Sequence, residues 1–161
     1  MKSEPRRSGG IFIGELSAES GVATLRDALD LYPGGQVDFI ARSELDSDEL
    51  PARLQRAAYL VLPTLSYDPM PRPLVEAFAN GVPVIASRVG SAAELIEPGR
   101  NGLLFEPGSA RDLARRLAWA DAFPEKMRQM GECARADYLA RFIAKWSYQT
   151  LFGERRRSAR I

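Results

Sequence analysis

Two carboxylates, Asp68 and Glu76, stand eight residues apart in a run that reads Asp68-Pro69-Met70-Pro71-Arg72-Pro73-Leu74-Val75-Glu76. Apolar stretches lie on both sides, so the run reads as a loop and a helix start between two buried strands. In a parallel α/β sheet, ligands bind where loops leave the carboxyl ends of the strands. Carboxylates held there accept hydrogen bonds from hydroxyl groups, and the N–H groups of a helix opened by Pro73 suit phosphate oxygens. Arg72 is the one basic residue in the run. Glu76 also has a plainer reading, as a first-turn acid that favours the helix dipole, and Asp68 one as an ordinary loop acid.

Other chemistries are excluded by composition. The chain has no histidine and a single cysteine, Cys133. That removes the commonest general base and leaves no credible zinc site, so neither a metal nor a cofactor is expected. One cysteine forms no internal disulfide and fits a reducing compartment. Lys and Arg total 22 against 21 Asp and Glu, so no bulk charge favours nucleic acid or an anionic membrane. Met1 to Gly10 lack the apolar core of a secretory signal, and no apolar run approaches the ~20 residues of a membrane span. The expectation is a cytoplasmic protein with no transmembrane segment.

Short apolar runs alternate with amphipathic segments, which argues for βαβ units. Ile11-Phe12-Ile13 reads as a strand ending at Gly14. Val22, Leu25, Ala28 and Leu29 recur at helical spacing until Pro33-Gly34-Gly35. Val37 to Ala41 is the second strand, and Asp46 with Glu49 suggests a capping box for a helix through about Arg56. Ala58 to Leu62 is apolar throughout and should be central. Pro73 opens the next helix and Gly81 closes it. Val84-Ile85-Ala86 and Leu103-Leu104-Phe105 are the last two strands, with a second capping box, Ser91 and Glu94, between them. Beyond Ala110 the pattern is helical to about Phe152, with breaks expected at Phe123-Pro124 and near Gly131. Tyr59, Phe78 and Phe105 read as core aromatics; Trp119, Phe123 and Trp146 either pack the core or cover a partner surface. The fold class is thus α/β: a Rossmann-like parallel sheet of about five strands, helices on both faces and a C-terminal helical extension. One domain spans 1–161, with 1–9 flexible and 153–161 a basic tail.

Linked motifs in this order carry a family resemblance. Asp68 and Glu76 match a Glu-x7-Glu pair, and Ala77 to Val84 match an Ala-x-x-x-Gly-x-Pro-Val turn. Arg88-Val89-Gly90 leads to Glu94, and Asn101-Gly102-Leu103-Leu104-Phe105 closes the pattern. The chain resembles the C-terminal, nucleotide-sugar-binding half of group 1, or family 4, retaining glycosyltransferases of two-domain GT-B architecture. The resemblance implies that Glu76 accepts hydrogen bonds from ribose hydroxyls and Asp68 lies near donor-sugar hydroxyls. It also implies that Gly90, Ser91 and Glu94, at the start of the following helix, shape the nucleotide pocket; Arg72, the basic residue near that pocket, is read beside this as a candidate to replace part of the cations the chain lacks. The substrate implied is a UDP-sugar or GDP-sugar, and the activity that of a retaining hexosyltransferase.

The departures are equally specific. Where the family's opening loop supplies an Arg and a Lys for the diphosphate, this chain has Glu15 and Ser20, read here as solvated. Asp68 is one methylene shorter than the usual Glu, and Pro69, Pro71 and Pro73 donate no backbone hydrogen bond. Between Tyr32 and Gln36 a whole βα unit is missing, and no acceptor-binding half is present. Two readings follow. The chain is the donor side of a split enzyme, active only with a separate acceptor-binding partner protein, or a degenerate, non-catalytic module kept for protein assembly; a truncated fragment is a third. The lost unit also suggests an open sheet edge and a homodimer or heterodimer formed through it.

Overall fold

The computed structural model describes residues 7–46 and 48–143. Five strands, β1 (Gly10–Gly14), β2 (Val37–Ala41), β3 (Tyr59–Leu62), β4 (Val84–Ser87) and β5 (Gly102–Phe105), form one sheet. All neighbours are parallel, in the order β2-β1-β3-β4-β5. The α/β class, the strand count and the central place of β3 are as the sequence suggests. β2 pairs with β1 along its whole length, from Gly10 opposite Val37 to Gly14 opposite Ala41. β2 is therefore an edge strand, with Phe39 39% exposed.

Among the described residues six α-helices flank the sheet: α1 (Val22–Leu31), α2 (Leu50–Arg56), α3 (Arg72–Ala79), α4 (Gly90–Leu95), α5 (Ala110–Ala122) and α6 (Pro124–Asp137). Successive strand residues feed opposite faces. Ile11, Ile13, Leu60, Leu62, Val84 and Ala86 join α2, α3 and α4 in one core. Phe12, Tyr59, Val61 and Ile85 join α1 and α5 in the other. Burial on both faces is why the inner strands carry unbroken apolar runs rather than alternation.

Three local expectations are corrected. Neither capping box forms: α2 starts after Glu49 with Pro51 in its first turn, and α4 starts after Val89, both without a side-chain cap. Gly131 does not break α6; it lets the helix press on the turn at Gly81, whose carbonyl oxygen a Cβ would strike. Phe123 is 43% exposed rather than a core residue. Its ring lies 5.0 Å from that of Trp119, with the Lys126 ammonium 5.3 Å above. Of the nine opening residues, Ser8 N–H and Gly9 carbonyl are hydrogen-bonded to Arg56 and Ala58. Residues 1–6, Trp146 and the tail 153–161 lie outside the described residues. No helix among those described is long and apolar enough to cross a membrane.

Tyr59 ties the layers together. Its buried hydroxyl donates to Asp121 Oδ1 at 3.1 Å, and Tyr32 donates to Oδ2 at 2.9 Å. Burial first, and then the Asp121 carboxylate, push the Tyr59 phenol well above its ordinary value of 10.0. Above pH 10 the unfolded chain loses this proton while the native state keeps it, so stability falls as pH rises. The urea midpoint is expected to drop beyond pH 10, and to drop less steeply in Tyr59→Phe; parallel slopes would refute it.

Candidate functional site

The chain leaves β1 toward β2 and leaves β3 toward β4, so the strand order reverses between β1 and β3. That is the topological switch point, where open α/β sheets bind ligands. The loop after β1 runs from Glu15 to Gly21, and the loop after β3 from Pro63 to Pro71. The two are fastened together. Leu65 N–H donates to Glu19 O at 2.9 Å, and Thr64 Oγ1 donates to the same oxygen at 3.2 Å. Gly21, at φ 76°, has its backbone against the Pro63 carbonyl oxygen. The contact draws the two loops together over the switch point.

Glu76 lies on the second turn of α3, not the first, and 21% of its side chain is exposed. Both of its oxygens are engaged by Arg42, which follows the last residue of β2. Nη2 donates to Oε1 at 2.6 Å and Nη1 to Oε2 at 3.3 Å. Arg72 approaches from its own helix, with Nε 3.8 Å from Oε1, and is 73% exposed. The site therefore gathers one carboxylate and two guanidinium groups at the carboxyl end of the sheet. Sequence reasoning did not find Arg42. Its signal was its place, directly after a strand, where ligand-binding residues of α/β sheets concentrate.

Asp68 is exposed, and its Oδ1 accepts from Met70 N–H at 2.9 Å, the turn that Asp favours. No contact joins it to Glu76. Gly90, at φ 61°, packs against Tyr67 and Asp68. Ser91 Oγ donates to Pro69 O at 2.5 Å, and Ser91 N–H faces Asp68 O at 3.4 Å. Gly90 and Ser91 thus brace the acid loop, and Glu94 is exposed. Ser20, expected to be solvated, is a turn residue: its hydroxyl donates to Ser17 O at 2.7 Å. Glu15 is exposed as expected.

Helix α3 offers few donors at its start. Pro73 has no N–H, and Leu74 N–H is taken by Pro71 O at 3.1 Å. Positive charge near Glu76 therefore comes chiefly from Arg42 and Arg72. A cavity of about 950 Å³ opens at the opposite end of the strands, lined among others by Ala58, Pro83, Arg128 and Arg135. It contains none of these site residues.

Residues 11–137 match the family described as glycosyl transferases group 1. The sulfoquinovosyl transferase SQD2 of Arabidopsis thaliana is 24% identical over 156 residues, covering 83% of this chain and 30% of that protein. The MMP alpha-(1->4)-mannosyltransferase of Mycolicibacterium hassiacum is 32% identical over 110 residues, covering 68% of this chain and 26% of that protein. The chain thus spans under a third of each of these relatives. Among solved structures, HepE of Anabaena in complex with UDP superposes with a TM-score of 0.73 at 23% identity, covering 89% of this chain and 48% of that one. The C-terminal domain of LpcC, a group 1 family protein from Francisella tularensis, gives 0.71 at 20% identity, covering 86% and 88%.

Proposed function

We propose that this chain, which belongs to the glycosyl transferases group 1 family, is the donor-side half of a sugar-transferring enzyme and binds a nucleoside diphosphate sugar. The observation that carries the reading is the Arg42–Glu76–Arg72 group beside the switch point. A carboxylate there accepts from the paired hydroxyls of a ribose, and guanidinium groups suit a diphosphate. The structural likeness to HepE, solved with UDP and with UDP-glucose, supports it. Asp68 stands on a loop that a donor sugar would meet, and the reaction is read as hexose transfer with retention. The reading calls for no metal, and it keeps the cytoplasmic setting expected from the single cysteine.

Transfer needs water kept from the reacting carbon, and one open face does not do that. An acceptor-binding half, carried by another polypeptide or another segment, closes the site in this reading. Titration calorimetry with UDP and GDP tests the donor side. Wild-type chain is expected to bind one of them, and Glu76→Ala to weaken that binding tenfold or more, since a hydrogen bond to a charged group is worth roughly 1.5–3 kcal/mol. No heat at millimolar nucleotide sinks the reading.

The second reading, a degenerate module used for assembly, draws on the fastened loops and on the lack of a cation at Glu15 and Ser20. It predicts that Glu76→Ala leaves the biological role untouched. The β2 edge is where a homodimer or heterodimer would form, and sedimentation at high concentration tests for it.

A further inference from the structure

We propose that Arg42 is the diphosphate-selecting residue of this site, resting on Glu76 until the ligand arrives; the inference depends on the donor-side reading above. Ala41, the residue before it, pairs with Gly14 at the end of β1. Arg42 therefore leaves the sheet beside the opening loop, which itself contributes no Arg or Lys from Glu15 to Gly21. Its guanidinium makes a forked contact with both oxygens of Glu76. The same planar fork fits two phosphate oxygens equally well.

Burial of the pair is partial, with 29% of the Arg42 side chain exposed and 21% of that of Glu76. Both partners are still reached by solvent, so a ligand that offers each of them a replacement contact can exchange for the pair. A nucleoside diphosphate offers both exchanges at once: its ribose hydroxyls replace the guanidinium on Glu76, and its phosphates receive the freed fork. A nucleoside alone offers only the first, and leaves Arg42 without its carboxylate. Arg72 adds positive charge beside the site but makes no fork on Glu76, its Nε being 3.8 Å from Oε1 and its side chain 73% exposed.

The test compares whichever of UDP or GDP the chain binds better with the matching nucleoside, by calorimetry on the whole chain. Arg42→Met is expected to reduce the diphosphate-over-nucleoside preference at least tenfold, with nucleoside affinity unchanged or raised. Glu76→Gln is expected to weaken both ligands while keeping most of the preference. If Arg42→Met fails to fold, Arg42→Lys serves in its place: it keeps the charge, loses the fork, and should lose part of the preference. If the wild-type chain binds the diphosphate and Arg42→Met keeps the same diphosphate-over-nucleoside preference, the inference is overturned and the donor-side reading stands. Equal loss of preference in Glu76→Gln also overturns it, since Arg42 would then act only through Glu76. A wild-type chain that binds neither ligand overturns both.

Discussion

Asn101→Ala is expected to remove roughly 3–5 kcal/mol of folding stability, read from the urea midpoint, with little change in the slope of the transition. Asn101 is fully buried, and its side chain makes three hydrogen bonds. Its Oδ1 accepts from Glu97 N–H at 2.8 Å, and its Nδ2 donates to Leu95 O at 3.0 Å and Asp137 Oδ2 at 2.7 Å. Asp137 ends α6 and is held as well by the fork of Arg100, at 2.7 and 2.6 Å. Removing the amide takes this partner from Glu97 N–H and Leu95 O, at about 1–3 kcal/mol each, and leaves Asp137 to Arg100 alone. Asp137→Ala attacks the same network from the helix, so the two substitutions should be non-additive. A loss under 1 kcal/mol for Asn101→Ala would mean that the network does not form in solution. The Asn-Gly-Leu-Leu-Phe stretch thus owes its asparagine to this fastening of α6 rather than to ligand contact.

Gly21→Ala is the second large effect. At φ 76° an L side chain is strained, and a Cβ there would collide with the Pro63 carbonyl oxygen. The dihedral alone costs about 1–3 kcal/mol, and displacing the packed backbone adds a comparable amount. We expect a loss of roughly 2–5 kcal/mol. Gly99→Ala separates the two causes. Gly99 has φ 86° but nothing within 4 Å of an added Cβ, so it should show the dihedral cost alone. Equal losses at both positions would mean that the two loops do not touch at Gly21. Because Gly21 fastens the opening loop to the loop carrying Asp68, its substitution should weaken nucleotide binding as well.

Much of the fold was legible before any coordinates. Tyr59 to Leu62, Val84 to Ser87 and Gly102 to Phe105 are short apolar runs bounded by Pro or Gly, and each is a strand buried on both faces. Pro73 and Gly81 bracket α3 because proline suits a helix start and glycine accepts the positive φ after its end. The capping boxes failed for a physical reason. Ser91 lies inside α4, one residue past its first, so it is not placed to accept from the helix's free N–H groups, and its hydroxyl donates across the site to Pro69 O instead. Gly131 was misread because glycine weakens an isolated helix, whereas here it permits close packing against Gly81.

Site residues divide along the same line. Asp68 and Glu76 could be picked out because their types and spacing are local facts of the chain. Arg42, 34 residues before Glu76, could not be paired with it until the sheet order was known. The primary structure determined which segments are strands and helices and which residues carry charge, because periodicity and turn chemistry act between near neighbours. Only the folded arrangement decided which charges meet. The β2-β1-β3 order brings distant strand ends within a few ångströms, and no local rule encodes that distance.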